Sequence, residues 1–231
     1  MPGSSILPVA LHRGKLYFLF GKENPLEDSA KGFSDFGGGI EKLEKPFETA
    51  VREGSEELTG FLGNPAQIRR HIKKMGGTYA FTHTNATNSA QNYTVHIVCY
   101  DYDENLPKYY NNNHHFLWNL MDHQLLKSTK LFEKIEIEWF CEDELRRRMS
   151  EYRPFYREVV ESMIQKLEHI RKFVSKCALR TSKRKTLSKN MAGGKRRNTK
   201  RRMSLRRTMS GGRTMSGGRN MSGGWGMALV G

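Results

Sequence analysis

Hydrophobic and polar positions along the first forty residues predict a β-rich start to the fold. Two apolar runs of β-favouring residues, 6–12 and 16–20, flank the turn-forming residues 13–15 and predict a hairpin. Residues 33–36 alternate between apolar and polar and predict a short strand that enters the glycine run 37–39. Because glycine lets a ligand approach the backbone closely, this run predicts a corner beside a binding site, with a plain tight turn as the alternative.

Periodicity predicts further strands over residues 78–83, 92–102 and 133–140, and helices over residues 65–74, 109–126, 155–174 and from 142 onward. In the strand over 133–140, the polar side is predicted to be Lys134, Glu136 and Glu138, and the buried side Ile135, Ile137 and Trp139. In the helix over 109–126, the predicted apolar face is Phe116, Leu117, Leu120 and Met121. The adjacent His114 and His115 would point to different sides of that helix, so we do not expect them to bind one metal ion together.

The strongest helix signal begins at Pro46, which suits a first helical turn, and stops before Gly60. Its apolar positions recur at helical spacing and predict packing on a core: Phe47, Val51, Gly54 and Leu58. On the opposite side, Glu53, Glu56 and Glu57 stand at i, i+3 and i+4 and share one face. Three carboxylates repel one another unless a hard divalent cation joins them, so the pattern predicts a metal site; a solvated acidic face is the alternative.

Residues 38–60 resemble the Nudix box, the signature of the Nudix hydrolase superfamily. Gly38, five residues, Glu44, seven residues and then Arg52-Glu53-x-x-Glu56-Glu57 match its spacing without a gap. Two features depart from the family pattern: Gly54 replaces a bulky aliphatic residue, and Leu58-Thr59-Gly60 is one residue longer than expected. The resemblance implies an α/β fold, an α/β/α sandwich whose mixed β-sheet carries the box helix on one side and other helices opposite.

The resemblance also implies roles for the box residues. The metal ligands would be Glu53, Glu56, Glu57 and the backbone carbonyl of Gly38, with Mg²⁺ or Mn²⁺ as the cofactor. The catalytic candidates are Glu56, Glu53, Arg52 and Glu44. Arg52 would pair with a box carboxylate, Glu44 would support the loop or an outer metal ion, and Glu56 is the candidate for activating water. Glu136, Glu138 or a loop residue could instead supply the general base, a choice that the sequence leaves open.

Charge divides the chain near residue 176. All 24 acidic residues and 24 of the 39 Lys and Arg residues lie in residues 1–176, so the net charge of +15 comes entirely from residues 177–231. We therefore predict one domain over 1–176 and a disordered basic tail over 177–231, in which Arg-x-Met-Ser-Gly-Gly repeats cannot bury a core. Candidate nucleic-acid contacts in the tail are Lys195, Arg196, Arg197, Arg201, Arg202, Arg206 and Arg207. A solubilising or localising extension is the alternative.

Three features predict an intracellular protein that is cytoplasmic, nuclear or virion-associated and is not secreted. Cys99, Cys141 and Cys177 are an odd number without metal-ligand spacing, as expected of reduced thiols. No apolar run approaches the ~20 residues of a membrane span. The first residues lack the basic and apolar regions of a signal peptide. The Met-Ser-Gly-Gly repeats also resemble tails found on proteins of large DNA viruses.

The implied reaction is hydrolysis of a pyrophosphate bond in a nucleoside diphosphate linked to another moiety. Capped RNA and small nucleotides are both possible substrates, and a cationic tail that holds RNA would suit the first. The alternative is a catalytically inactive Nudix-fold protein that binds RNA or DNA through its basic tail. The sequence leaves the oligomeric state open.

Overall fold

The computed structural model describes residues 2–24, 31–84, 92–129 and 133–180. The chain divides into two units, Met1–Arg184 and Lys185–Gly231. All of the second unit lies outside the described residues, and with it the candidate nucleic-acid contacts of the tail. The predicted loop after residue 84 lies outside them as well.

Within the described part of the chain, seven strands form one mixed sheet. They are β1 (Gly3–His12), β2 (Lys15–Glu23), β3 (Phe33–Ser34), β4 (Phe36–Gly39), β5 (Tyr79–Thr84), β6 (Asn92–Cys99) and β7 (Lys134–Cys141). Neighbours in the order β3-β2-β1-β6-β5 are hydrogen-bonded, while β4 pairs with β1 and β7 pairs with β2. The β1–β6 pair is parallel and the other pairs are antiparallel, which makes the sheet mixed.

The described helices are α1 (Pro46–Glu57), α2 (Pro65–Met75), α3 (Asn105–Leu120), α4 (His123–Thr129), α5 (Pro154–Ile164) and α6 (167–180), with a short 3₁₀ helix at Met149–Glu151. Alternate side chains of the central strands enter two separate cores. In β1, Ile6 joins the core that α1, α2 and α3 cover, while Leu7 joins the core that α5 and α6 cover. Helices therefore lie on both faces of the sheet, and the expected α/β/α sandwich is confirmed.

The predicted N-terminal hairpin is confirmed, with His12 paired to Lys15 across a turn in which Arg13 and Gly14 have positive φ. The single strand expected over 33–36 is two strands. β3 pairs with β2 and β4 pairs with β1, so the chain changes partners at Asp35, which is buried between them. Sequence alternation cannot show this change of partner, because both strands have the same period.

Three helix predictions need correction. The segment 109–126 is two helices, α3 and α4, and the side chains of Phe116 and Leu120 from its predicted apolar face are 62% and 67% exposed. The buried positions of α3 are instead Tyr110 and His114, because this helix lies along the outer strand β7. The segment 155–174 is likewise divided into α5 and α6 at residues 165–166, and residues 142–148 form turns rather than a helix.

Asn111 of α3 closes the outer edge of β7. Its amide donates to the carbonyl oxygen of Ile137 at 3.2 Å, and its side-chain oxygen accepts from the Ile137 N–H at 2.9 Å. The side chain thus takes the place of a neighbouring strand, since backbone groups on a sheet edge need partners. None of the helices in the described ranges combines the length and the apolar character needed to cross a membrane.

Candidate active site

Helix α1 packs against β1 at a position where only glycine fits. A Cβ atom on Gly54 would lie 2.3 Å from Cδ1 of Ile6, so the absence of a side chain lets the helix approach the sheet closely. Ala50 and Val51 are fully buried on the same side. This packing gives a physical reason for Gly54, where the sequence departs from the Nudix pattern.

The additional residue after α1 is accommodated by two consecutive left-handed residues. Thr59 has φ of 48° and Gly60 has φ of 75°. The N–H of Gly60 donates to the carbonyl oxygen of Ser55 at 2.9 Å and so satisfies one of the last carbonyls of the helix. The additional residue therefore changes the turn that follows α1 and leaves the carboxylate-bearing part of the helix intact.

The glycines of β4 bring a backbone corner against α1. A Cβ atom on Gly37 would lie 2.3 Å from Cβ of Ser5, and one on Gly38 would lie 2.5 Å from Oε1 of Glu53. The backbone at Gly38 is therefore in direct contact with a box carboxylate. A larger residue at Gly38 would push the corner away from the helix, and one at Gly37 would push it away from β1.

Arg52 joins three carboxylates on the exposed side of the corner. Its Nε and Nη2 donate to the two oxygens of Glu44, each at 3.1 Å. Its Nη1 donates to Glu53 at 2.7 Å and to Glu56 at 3.2 Å. The hydrogen bonds from Arg52, with help from the hydroxyl of Thr49, lower the pKa of Glu44 to about 2. Arg52 thus fixes the positions of Glu53 and Glu56, the kind of pairing that the sequence predicts for it.

Glu57 faces the interior of the protein. One of its oxygens accepts from the N–H of Gly37 at 2.8 Å, and the other lies 3.2 Å from Nζ of Lys134. Its side chain is only 6% exposed. Burial raises the pKa of Glu57, and the ammonium group of Lys134 opposes that effect.

Lys134 is the centre of a buried charge network behind α1. Its Nζ contacts Glu23 and donates to Oγ of Ser34 at 3.0 Å, while Arg153 donates to Glu23 at 2.7 Å. Burial alone would lower the pKa of Lys134, but Glu57 and Glu23 raise it, so the side chain stays cationic. Lys134 therefore bridges Glu23 and Glu57, and Arg153 adds a second cation at Glu23.

The prediction that Lys134 lies on the polar side of a half-buried strand is wrong, because this side chain is fully buried. The β2–β7 pairing shifts register next to Lys22, which pairs with Glu136, while Glu23 pairs with Lys134. The irregularity turns Lys134 inward. Gly21 is the sequence signal for the buried Lys134 side chain, because a Cβ atom on Gly21 would lie 2.8 Å from Cγ of Lys134. This signal can be interpreted only once the pairing of β2 with β7 is known.

The three box glutamates do not converge on one point. Glu53 and Glu56 share Arg52 on the outer side, whereas Glu57 turns inward to Lys134. In residues 2–24, 31–84, 92–129 and 133–180, no group of three or more His, Cys, Asp or Glu side chains is arranged to hold a metal ion. The three box glutamates do not form such a group because cations of the protein itself lie between them: Arg52 pairs with Glu53 and Glu56, and Lys134 pairs with Glu57.

The other candidate bases lie on β7 away from Arg52. Both oxygens of Glu138 accept from Arg148, at 2.6 Å and 2.9 Å. Glu136 pairs with Lys22 at 3.3 Å across the strand pair. The structure therefore brings together Gly38, Glu44, Arg52, Glu53 and Glu56 and leaves Glu57, Glu136 and Glu138 in separate environments.

A glycine corner that contacts a carboxylate-bearing helix, on one face of a mixed sheet covered by helices on both sides, is the arrangement that the box implied. The chain has a Nudix-type fold. The corner, the box helix on one face of the sheet and other helices, α5 and α6, on the opposite face are all observed.

Comparison with known proteins gives low-identity structural matches. No protein-family model and no curated protein matches the chain. RenU, a Nudix hydrolase from M. Smegmatis, is 13% identical, with a TM-score of 0.44 over 74% of this chain and 88% of its own. The NUDIX domain of Shewanella oneidensis NrtR, complexed with ADP ribose, is 11% identical, with a TM-score of 0.37 over 73% and 86%. A NUDIX hydrolase from Nitrosomonas europaea is 18% identical, with a TM-score of 0.36 over 73% and 90%.

Proposed function

We propose that the corner and helix α1 form the active site of a divalent-metal-dependent pyrophosphohydrolase. Its substrate is a nucleoside diphosphate linked to another moiety. The observation that carries the proposal is the position of Arg52 Nη1, which lies 2.7 Å from a Glu53 oxygen and 3.2 Å from a Glu56 oxygen. Two carboxylates that already share one cationic nitrogen beside an open glycine corner can also share a metal cation.

The donor set fits a hard divalent ion. Glu53 and Glu56 would hold Mg²⁺ or Mn²⁺, since both ions prefer carboxylate and water oxygens and need to keep several water ligands. The side chain of Glu56 is 58% exposed and that of Glu53 is 15% exposed, so the pair combines a solvent-facing ligand with a fixed one. When bound, the ion supplies positive charge that neutralises the phosphate oxygens.

The protein's own residues divide the remaining work. Arg52, held by Glu44, fixes Glu53 and remains as a cation beside the phosphate chain. Glu56 accepts a proton from the attacking water as the water oxygen bonds to one phosphorus and the bond to the bridging oxygen breaks. Glu57 ties the end of α1 to Gly37 and keeps the corner in place. In this assignment Glu57 positions the site, and the ligands are Glu53 and Glu56.

The test is turnover of a panel of nucleoside diphosphate derivatives and capped RNA with Mg²⁺ or Mn²⁺, with the products resolved by mass. Glu53→Gln and Glu56→Gln should each lower kcat at least ~100-fold, in the range seen when one electrostatic catalytic group is removed. Glu48→Gln is the matched control, because Glu48 lies on the same helix and pairs with Arg69 at the surface. Equal activity in all three variants would exclude the proposed site.

The substrate proposal includes capped RNA, supported by the positive charge of residues 177–231. Removing these residues affects long and short substrates differently if the tail holds RNA. Truncation after residue 184 should then slow capped-RNA cleavage, most strongly at low salt, and leave small-nucleotide cleavage unchanged. Equal slowing of both substrates would exclude the role of the tail as an RNA contact.

The second candidate function is a catalytically inactive protein that binds nucleic acid through its tail. The observation in its favour is that all three box glutamates already pair with a cation of the protein, Arg52 or Lys134. This candidate predicts RNA binding that persists in Glu53→Gln and Glu56→Gln, disappears on truncation and is accompanied by no turnover on the whole substrate panel.

A further inference from the structure

A cavity of about 400 Å³ lies between the second half of α3 and the start of β7. Its lining residues are His114, His115, Trp118, Asn119, Ile135 and Glu136. This volume is within the range of about 300–1,000 Å³ that is typical of small-molecule sites. The box helix contributes none of these lining residues, so the cavity is a separate feature of the same unit.

The cavity combines flat aromatic surfaces with polar groups. The ring of Trp118 lies 5.6 Å from that of His114 at 26°, and 4.5 Å from that of His123 at 37°. Ile135 adds an apolar wall, and Glu136 adds a carboxylate. A planar heterocycle fits such a site, because one face can stack on an aromatic ring while its edge forms hydrogen bonds.

The carboxylate of Glu136 is accessible to a ligand. Within the described part of the chain it pairs with Lys22 at 3.3 Å, and the side chains of Glu136 and Lys22 are 38% and 44% exposed. Ion pairs this exposed contribute little free energy, so the carboxylate can exchange this partner for a ligand at small cost. Burial and the neighbouring His115 lower the pKa of His114, so the ring that packs on Trp118 is neutral at pH 7.

Both walls of the cavity begin beside the box helix. The hydroxyl of Tyr110 donates to the carbonyl oxygens of Glu57 at 3.1 Å and of Lys134 at 2.8 Å. Along α3, His114 follows Tyr110 by one turn and Trp118 by two, about 6 Å and 12 Å at 1.5 Å per residue. Along β7, Glu136 follows Lys134 by two residues. The lining residues of α3 therefore follow, within two turns, a residue that contacts the end of the box helix.

We propose that this cavity binds the base of the nucleotide substrate and prefers guanine to adenine. Trp118 provides the stacking surface, and the carboxylate of Glu136 accepts hydrogen bonds from the base edge. A carboxylate is an acceptor only, and guanine presents N1–H and the N2 amino group side by side, whereas adenine has no adjacent pair of donors. The inference rests on the proposed function, because it takes the substrate to be a nucleotide.

Binding of GMP and AMP to the full chain, measured by calorimetry, tests the proposal without turnover. The wild type should bind GMP more tightly than AMP, and Trp118→Ala should weaken GMP binding about tenfold or more, as expected for loss of a base–aromatic stack. Trp118→Phe should retain most of the binding. Phe116→Ala is the matched control, because its side chain lies on the same helix and is 62% exposed. Equal binding of GMP in Trp118→Ala and wild type would overturn the proposal.

Glu136→Gln separates base recognition from a catalytic role of this residue. The variant should bring the affinities for GMP and AMP to within about twofold of each other, because the amide no longer offers two acceptor oxygens to the base edge. A loss of kcat on guanine and adenine substrates alike would make Glu136 a general base instead. An unchanged preference for GMP would overturn its role in recognition.

The two proposals can fail separately. Glu53→Gln and Glu56→Gln should each lower kcat at least ~100-fold and leave GMP binding intact. If the wild type binds GMP through Trp118 but hydrolyses none of the substrates, the base site stands and the hydrolase proposal falls. If the wild type hydrolyses its substrates with no effect of Trp118→Ala on KM, the hydrolase proposal stands and the base site falls.

Discussion

At the scale of single residues, the interior of this protein depends on Lys134. It is fully buried, and it holds Glu23 and Glu57 in a region where neither carboxylate contacts water freely. Removing one member of a buried ion network leaves the opposite charges without a partner, which costs more than the intact network contributes. Lys134 therefore couples the folding of β7 to the position of the box helix.

Lys134→Met should lower the free energy of unfolding by about 3–5 kcal/mol, because two buried carboxylates lose their shared cation. Urea denaturation at pH 7 measures this change. Lys172→Met is the control, since Lys172 pairs with Glu168 on the surface of α6 with both side chains about two-thirds exposed. We expect the control to change stability by less than ~0.5 kcal/mol. A loss below ~1 kcal/mol in Lys134→Met would contradict the role given to the network.

Asp35 gives the fold a pH dependence. Burial raises its pKa from 3.8 to about 6, although Ser5 and Tyr93 donate hydrogen bonds to it. Because the folded-state pKa is above the unfolded value, Asp35 stabilises the fold below about pH 4, and this contribution is lost as the pH rises through about 6.

Asp35→Asn should remove this dependence. The stability of the variant relative to wild type should rise by about 3 kcal/mol between about pH 4 and pH 7.5, since each pKa unit corresponds to about 1.4 kcal/mol. Urea unfolding of both proteins at several pH values gives the difference directly. A difference that stays constant over this range would show that Asp35 titrates at its ordinary pKa.

At the scale of elements, the sequence indicated the box helix well and its contacts poorly. The glycine run predicts a corner, the apolar periodicity predicts a helix, and the Nudix resemblance implies an ion pair from Arg52; all three are present. Helical spacing also placed Glu57 beside Glu53, because a helix alone would put them on one face. The partner that turns Glu57 inward lies on a strand more than seventy residues later, and no local pattern encodes that contact.

Gly54→Ala tests how closely α1 approaches the sheet. In an isolated helix alanine is better than glycine by about 1 kcal/mol, but here its Cβ would lie 2.3 Å from Ile6 Cδ1. We expect a net loss of about 1–3 kcal/mol in unfolding free energy from this overpacking. The measurement is chemical denaturation of Gly54→Ala, Ile6→Ala and the double variant.

Removal of the Ile6 side chain should relieve the clash. The double variant should therefore be more stable than the sum of the two single changes predicts, by roughly 1 kcal/mol or more, within the range for residues in contact. Strict additivity would show that Ile6 does not limit the size of residue 54.

At the scale of the whole molecule, the mixed sheet with two cores was predictable and the end of the first unit was not. Strand periodicity and the box resemblance together imply helices on both faces, which the two cores confirm. The charge change near residue 176 suggested a boundary, yet α6 continues to residue 180. Cys177 is buried in the core, and Arg180 donates to the carbonyl oxygen of Met75 at 2.9 Å. Charge composition does not detect contacts made by basic residues.

Two truncations distinguish these boundaries. A chain ending at residue 176 loses the contacts of Cys177 and Arg180 with Met75, and we expect it to be less stable than the full chain by roughly 1–3 kcal/mol. A chain ending at residue 184 should unfold at the same urea concentration as the full chain. Equal stability of the two truncations would place the boundary at the charge change after all.

Asn111 has a consequence for behaviour in concentrated solution. By occupying both backbone groups of Ile137, its side chain prevents another polypeptide from extending the sheet at that point of β7. A variant such as Asn111→Leu would leave the N–H and C=O groups of Ile137 unpaired on the edge strand β7. We expect the purified variant to self-associate through hydrogen bonds between these edge strands.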